Sequence, residues 1–548
     1  MRIPLKSFTG MAPRLEPHLL AEHAAQHASD VVLERGTLAP LRAPAFVADL
    51  AKPGIKQTIY RFGKDIDSDA AHWFHFPADA DIVCGPVADD TSERTYFTQS
   101  GQPPMVTDAS IATTDALMPS NAWRLGVPAA TTPAAVLVTP GTAQDDERQQ
   151  CYLAFTFVSA WGEEGAPNEV SAPFNAATGD TLVVSALEGI PAGAYQMQHK
   201  RLYVSVTDAN GVAILRFWKE IPVGTDTFSA ELDITTLGET LPEYSHVPPP
   251  DDLFGIMAHP GGFMVGFSGQ RVYRSEPFLP YAWPHHSPLP EAIVGGAISG
   301  QRLIVCTRSG TWLATTADPL DFRPARLDGD HPCAAKRSIR AFKGGVVYAG
   351  DDGLVMVDAA SNLSVITEAL ITPRQWQHYH PASMHAAVHD NRYYCWYDNG
   401  TDKGCLILDV SATGVTLTHS SQYATAAFAD PLRDALFVAL PDGKLYKWDA
   451  GHALPFTWTS KRFIFDRPQN LGAVQVVAEG WPVSVTLHAL IETDTGQRTV
   501  TTTRSVTSAR PQRLPAHYRA REYWLTVTST HTVREITLAS TLGNVTAQ

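Results

Sequence analysis

Leu436-Phe437-Val438-Ala439-Leu440-Pro441-Asp442-Gly443-Lys444-Leu445-Tyr446-Lys447 reads as an apolar strand, a tight Asp-Gly turn and a second strand. Asp-Gly and Asn-Gly mark hairpins because the tight turn needs positive φ, which glycine adopts without a Cβ clash. The same phrase occurs four times upstream. Residues 263–267 precede Ser268-Gly269, 303–307 precede Ser309-Gly310, 346–349 precede Asp352-Gly353, and 393–397 precede Asn399-Gly400. Successive glycines are 41, 43, 47 and 43 residues apart. A hairpin recurring at that interval fits one β-propeller blade per repeat, because a lone hairpin is marginal in water and persists only when sheets stack.

An earlier match lies at Tyr96-Phe97-Thr98-Gln99-Ser100-Gly101, preceded by strand-like runs at 57–62 and 72–76. Gly101 to Gly269 is 168 residues, one repeat plus a surplus that predicts a domain inserted between the first and second blades. Strand-like runs at 151–160, 181–186, 196–207 and 212–218, separated by Gly/Pro turns, give the strand density of a small fibronectin- or immunoglobulin-type sandwich. After Trp458 the repeat stops. Val483, Val485, Leu487, Ala489 and Ile491 then alternate with other residues at a period of two, and Thr/Val-rich runs follow at 499–506, 523–528 and 533–539. The expectation is an all-β chain, a propeller of about six blades with an inserted sandwich and a C-terminal sandwich. Its parts are an N-terminal arm or docking segment (1–54), a first blade (55–127), the inserted domain with linkers (128–250), the remaining blades (251–457) and a C-terminal β-rich domain (458–548). Residues 17–28 are the best short helix candidate, on the stripe Leu19, Leu20 and Ala24.

Composition agrees with a folded chain. Of 548 residues 44% are hydrophobic and 18% charged, enough to bury a sizeable core and too apolar for disorder. With 42 Lys and Arg against 56 Asp and Glu the net charge is −14, the wrong sign for a nucleic-acid clamp. No apolar run reaches the ~18 residues of a membrane helix. Met1-Arg2-Ile3-Pro4-Leu5-Lys6 lacks the apolar core of a secretion signal. Cys84, Cys151, Cys306, Cys333, Cys395 and Cys405 are scattered, with neither ligand spacing nor a disulfide framework, which suggests free thiols made in a reducing cytoplasm.

Signatures of chemistry fail on physical grounds. Asp65-Ile66-Asp67-Ser68-Asp69 opens like a calcium loop, but Ala70 stands where glycine makes the sharp turn and Phe76 where a bidentate Glu closes the shell. His378, His380, His385 and His389 cluster, yet Pro381 breaks any common element and no supporting carboxylate can be assigned. His285-His286 is a weaker case still. Asp251-Asp252, Asp351-Asp352 and Asp358 are of the right type for glycosidic cleavage, but the turn before Gly353 and the exit of a Pro-rich linker account for most of them. Phe263, Tyr348, Tyr394, Trp396 and Phe437 fall on blade strands and are expected to pack between blades. No catalytic residue, cofactor or metal site is expected. Charge is uneven. Residues 495–548 hold seven arginines (498, 504, 510, 513, 519, 521, 534) and two acids, a local +5 that leaves −19 on the rest. Arg510, Arg513, Arg519 and Arg521 are the expected partner contacts, because a basic end on an acidic body favours oriented docking.

The opening Ser7-Phe8-Thr9-Gly10-Met11-Ala12-Pro13-Arg14-Leu15, then His18-Leu19-Leu20, Ala24-Ala25-Gln26 and Gly36-Thr37-Leu38-Ala39-Pro40-Leu41-Arg42, resembles the start of tail nozzle (tail tubular protein B-like) proteins of short-tailed bacteriophages. Val158-Ser159-Ala160-Trp161-Gly162-Glu163-Glu164-Gly165, Pro248-Pro249-Pro250-Asp251-Asp252-Leu253 and Cys333-Ala334-Ala335-Lys336-Arg337-Ser338-Ile339 continue the likeness. Its most specific piece is Tyr281-Ala282-Trp283-Pro284, within Ser275-Glu276-Pro277-Phe278-Leu279-Pro280-Tyr281-Ala282-Trp283-Pro284. The likeness runs to about Phe465 and weakens beyond. It implies a non-enzymatic virion protein of the tail, synthesised in the host cytoplasm. Such a protein forms a homo-hexameric distal ring that docks on the portal–adaptor assembly, supports spikes or fibres, and lets genomic DNA pass without specific binding or membrane insertion. The alternative from another class is a propeller-type carbohydrate-binding or glycan-cleaving tail protein.

Overall fold

The computed structural model describes residues 1–63, 67–87, 90–207, 213–242, 246–411, 414–493, 496–515 and 518–546. The chain is all-β, built of propeller-type blades with an inserted sandwich and a C-terminal sandwich. It divides into two compact units, Met1–Asp79 with Val294–Leu313 and Pro324–Gln548, and Ala80–Ile293 with Ala314–Arg323.

In the second unit, Ala80–Cys84, Thr95–Gln99, Met105–Thr107 and Trp123–Arg124 form one four-stranded antiparallel sheet, and Phe254–Ala258, Met264–Ser268, Arg271–Arg274 and His285–Pro288 form the next. Asp81 ties the two by accepting from the Gly255 N–H at 2.8 Å and from the Thr98 hydroxyl at 3.2 Å. Between them the chain leaves and returns through a narrow neck, where Arg124 pairs with Asp251 and Gly126, at φ 97°, lies against Pro248. A Cβ on Gly126 would sit 2.6 Å from the Pro248 ring, so the neck requires glycine there.

The excursion is the inserted sandwich. One sheet pairs Ala135–Thr139, Thr181–Ser185 and Phe228–Glu231, the other Leu153–Ser159, Met197–Thr207 and Ala213–Pro222. Leu153–Ser159, Thr181–Ser185, Met197–Thr207 and Ala213–Pro222 match the runs read from the sequence, with residue 212 outside the described residues, whereas Ala135–Thr139 and Phe228–Glu231 were not among those runs. Leu153, Phe155, Phe157, Leu182, Val184, Leu202 and Val204 alternate inward and fill the core.

In the first unit, sheets at 340–365, 385–420 and 426–447 repeat the four-stranded pattern, and most of a fourth at 293–326 belongs here. The sheet at 426–447 has only three strands of its own. Its fourth is Ala45–Asp49, so the two ends of the repeat array meet in one sheet. Among the described residues five such sheets are four-stranded, and a sixth set of four strands, 385–420, forms one end of a ten-stranded sheet that continues through Ala25–Ser29 into the C-terminal sandwich. The first differs from its expected extent. Thr58–Arg61 and Trp73–Phe76 pair only with each other, and the first four-stranded sheet starts at Ala80.

The first 54 residues are not a separate arm. Arg2–Leu5 pairs antiparallel with Val533–Ala539, and Ala25–Ser29 lies between Gly414–Ser420 and Phe456–Ser460. The helical stripe at 17–28 is likewise overturned. Residues 17–24 are turns, and the strand Ala25–Ser29 then buries Ala25 and Ala28. The C-terminal sandwich packs Arg2–Leu5, Val533–Ala539, Ala473–Ala478 and Gln512–Arg513 against a sheet in which Phe456–Ser460, Ala520–Ser529, Val483–Thr493 and Gly496–Val506 are neighbours. Ile3, Leu5, Val474, Val476, Ile536 and Leu538 meet Val485, Leu487, Tyr523, Leu525, Val527 and Trp458 in its core.

Candidate interaction surface

On one flank of the sandwich, the edge strand Gly496–Val506 of one sheet and the edge strand Gln512–Arg513 of the other meet. On Gly496–Val506, Arg498, Val500, Thr502, Arg504 and Val506 share a face by the period of two. Val506 and Thr502 are buried, and the two arginines are exposed at the rim. The Arg504 Nε donates to Gln512 Oε1 at 3.2 Å, and Gln475 Nε2 donates to the Ala509 carbonyl at 2.9 Å, which holds the segment bearing Arg510 and Arg513 to this flank. The Tyr518 and Thr502 hydroxyls bond at 3.0 Å, and Asn470 Nδ2 donates to the Tyr518 carbonyl at 2.9 Å. Arg519 and Arg521 follow on either side of buried Ala520 and point away from the core.

Arg510, Arg513, Arg519 and Arg521 are exposed and form no ion pair among the described residues. Two carboxylates of the same domain are engaged elsewhere. Glu522 pairs with Arg462 at 2.7 Å and Glu479 with Arg534 at 2.6 Å. Arg534, one of the seven basic residues of the tail, is thereby removed from the cluster, while Arg498 and Arg504 join it. The period-two pattern around Val500 and Thr502 is the sequence signal that would have placed them there. Charged side chains directed inward on an edge strand also block strand addition by another chain. What docks on this flank therefore meets side-chain charge, not a bare backbone edge.

The other candidates are drawn into local structure. His378 ends the short helix Pro373–His378, His380 follows at φ 52°, and His385 and His389 lie on a strand and not on a helical turn. No group of three or more metal-binding side chains forms among the described residues. His285 Nε2 lies 2.9 Å from Glu276 Oε1. Asp65 and Ile66 of the calcium-like stretch lie outside the described residues, and Asp69 pairs with Arg433 at 2.8 Å. Asp252 accepts from the Ser268 hydroxyl at 2.8 and 2.9 Å, and Asp358 from the Ala360 and Asn362 amides at 2.8 Å each. Asp351 and Asp352 are exposed on a turn. All six cysteines are free thiols, five buried and Cys84 exposed. No helix among the described residues is long and apolar enough to cross a membrane.

Two buried imidazoles give the first unit a pH response. His75 has one ring nitrogen 2.8 Å from the Trp73 carbonyl and accepts the Lys52 N–H at 2.9 Å on the other, so a second proton would face a donor. Burial, with Lys52 and Lys56 nearby, holds its pKa down at about 4. His385, stacked on Trp396, is also pushed well below the ordinary value by burial and by Arg337 and Arg340. The unfolded chain takes up protons near pH 6.5 that the folded chain refuses, so stability is complete above that pH and falls on acidification towards pH 4. Melting at pH 7.5 and pH 5 is expected to differ by on the order of 1 kcal/mol for His75, allowing for solvent screening, and His75→Asn should flatten that dependence.

No protein-family model matches the chain. No curated protein matches it either. Among solved structures it is similar to virginiamycin B lyase from Staphylococcus aureus, at 9% identity over 68% of this chain and 98% of that one, with a TM-score of 0.28. It is also similar to BamB from Moraxella catarrhalis (15% identity, 57% of this chain and 97% of that one, TM-score 0.26). The N-terminal domain of Nup159 shares 10% identity over 51% of this chain and 89% of that one, with a TM-score of 0.24. Likeness at this level says nothing about activity or partners.

Proposed function

We propose that this chain is a structural subunit of a phage tail nozzle, a homo-hexameric ring that docks on the portal–adaptor assembly, carries spikes or fibres and conducts DNA during ejection. The observation that carries the reading is the arginine flank, a set of exposed cations without carboxylate partners on a chain whose remainder is strongly acidic. An oriented structural subunit has use for such a surface, since complementary charge steers encounter and fixes register. The family-like motifs spread from Ser7 to Phe465 support the same reading. A net −14 subunit suits a DNA conduit, because phosphate repulsion avoids the counterion-release binding of a basic channel. Of the carboxylates of glycosidase type, Asp251 pairs with Arg124, Asp252 accepts from Ser268 and Asp358 caps a turn, which favours a structural role for these three over glycan cleavage.

Immunogold electron microscopy of particles from the producing culture, with antibody against this chain, tests the proposal. Gold at the tail tip of short-tailed particles is the expected result. Unlabelled particles alongside detectable free protein would overturn it and turn attention to glycan-cleavage assays.

A further inference from the structure

The charge on this chain is divided by domain. Residues 128–250 hold fifteen Asp and Glu against five Lys and Arg, a net −10, whereas residues 458–548 hold ten Lys and Arg against six Asp and Glu, a net +4. Much of the acidity of the inserted sandwich is unspent. Asp146, Glu231 and Glu239 are exposed and make no ion pair among the described residues. Glu231 ends the edge strand Phe228–Glu231, on the outward face in register with Thr181 and, through it, Thr139. The same sheet exposes Leu137 to 68% on its other edge strand, so an apolar contact lies beside the charge.

We propose that the arginine flank of the C-terminal sandwich binds the acidic inserted sandwich of a second copy of this chain, head to tail. Two different surfaces meet in such a contact, so each subunit keeps one free copy of each, and repetition closes into a ring where the rotation allows it. A nucleic-acid partner fits less well, because it would bring phosphates towards a chain that is −14 overall. The proposal deepens the ring reading and rests on it, and it names the two surfaces that join.

Charge swapping on the full chain tests it. One variant carries Arg513→Glu, Arg519→Glu and Arg521→Glu, and another Asp146→Lys, Glu231→Lys and Glu239→Lys. All substitutions are at exposed positions, so circular dichroism and melting should match the unaltered protein. Sedimentation of the unaltered chain should show association that weakens with salt. Each variant alone should associate roughly tenfold or more weakly, and an equimolar mixture should recover association, since the reversed flank of one then faces the reversed sandwich of the other. Recovery also rules out misfolding as the cause of the single losses. Three outcomes would overturn the proposal: an unaltered chain that stays monomeric, an arginine variant that associates as tightly as the original, or a mixture that recovers nothing. So would an arginine variant that keeps self-association but loses retention of a short DNA duplex. The gold-labelling result is independent of all of these, so labelled tails with a failed swap would leave the nozzle reading standing and remove only this interface.

Discussion

Trp396→Ala should destabilise the 385–447 region by ~3–5 kcal/mol, the cost of removing a fully buried large aromatic from a core that relaxes only partly. Trp396 is completely buried on the strand Arg392–Asp398. Its ring stacks on His385 at 5.4 Å and on Tyr394 at 6.1 Å, and meets Trp448 edge-on at 5.5 Å. Trp448 follows directly on the Lys444–Lys447 strand of the next sheet, and Leu436 and Val438 of that sheet close the same cluster. The residue therefore joins two neighbouring blades, and its loss opens a cavity between them. The indole N–H has no hydrogen-bond partner among the described residues. Trp396→Phe then loses volume without orphaning an acceptor and should cost much less than the alanine variant. Hydrogen exchange at 393–396, 405–408 and 436–438 reads the effect locally, which matters in a multidomain chain where one melting temperature is not a well-defined quantity. Equal protection in the alanine variant and the unaltered protein would refute the inter-blade role.

The blades were legible because each is a local object. A strand, a turn and a second strand within about 15 residues leave a readable period, and the interval between glycines exposed the insertion by arithmetic alone. What escaped reading pairs over long distances. Arg2–Leu5 finds its partner at Ile536–Ala539, and Ala45–Asp49 completes a sheet with Lys444–Lys447. Four or five residues carry too little alternation to declare a strand, and Pro4 argues against one unless it lies at an edge, as it does here. The arginine flank was half legible. The charge excess was visible in the sequence, but Arg534 left the cluster through Glu479, and Arg498 and Arg504 entered it by sharing a strand face with Val500, Thr502 and Val506. The histidines show the converse case, in which residues near in sequence are parted by a helix end, a left-handed residue and a strand.

Gly353→Val is the other substitution expected to be severe, and the reason differs from the one its Asp-Gly context suggests. The repeat glycines Gly101, Gly269, Gly400 and Gly443 do adopt positive φ, whereas Gly310 and Gly353 do not. Gly353 is required by space. A Cβ there would lie 2.5 Å from the Thr367 hydroxyl and 2.6 Å from a Val365 methyl. That hydroxyl accepts the Leu354 N–H at 3.0 Å, and Thr367 is buried, so the intruding side chain both overpacks the turn and displaces a buried hydrogen bond. Overpacking and a lost buried hydrogen bond together predict ~3–5 kcal/mol. Gly443→Ala is the matched comparison. At φ 78°, with nothing nearer than the Gly54 carbonyl at 3.2 Å, it should cost ~1 kcal/mol, chiefly from backbone strain. If φ alone governed these turns, Gly443 would be the more sensitive of the two and Gly353→Ala would be nearly silent. Denaturant midpoints and exchange protection of Gly345–Ala349 and Leu354–Val357 separate the two accounts. Crowding against Thr367 requires Gly353→Ala to be the costlier alanine substitution, with Gly353→Val more damaging again because its two added methyls enter the same filled space.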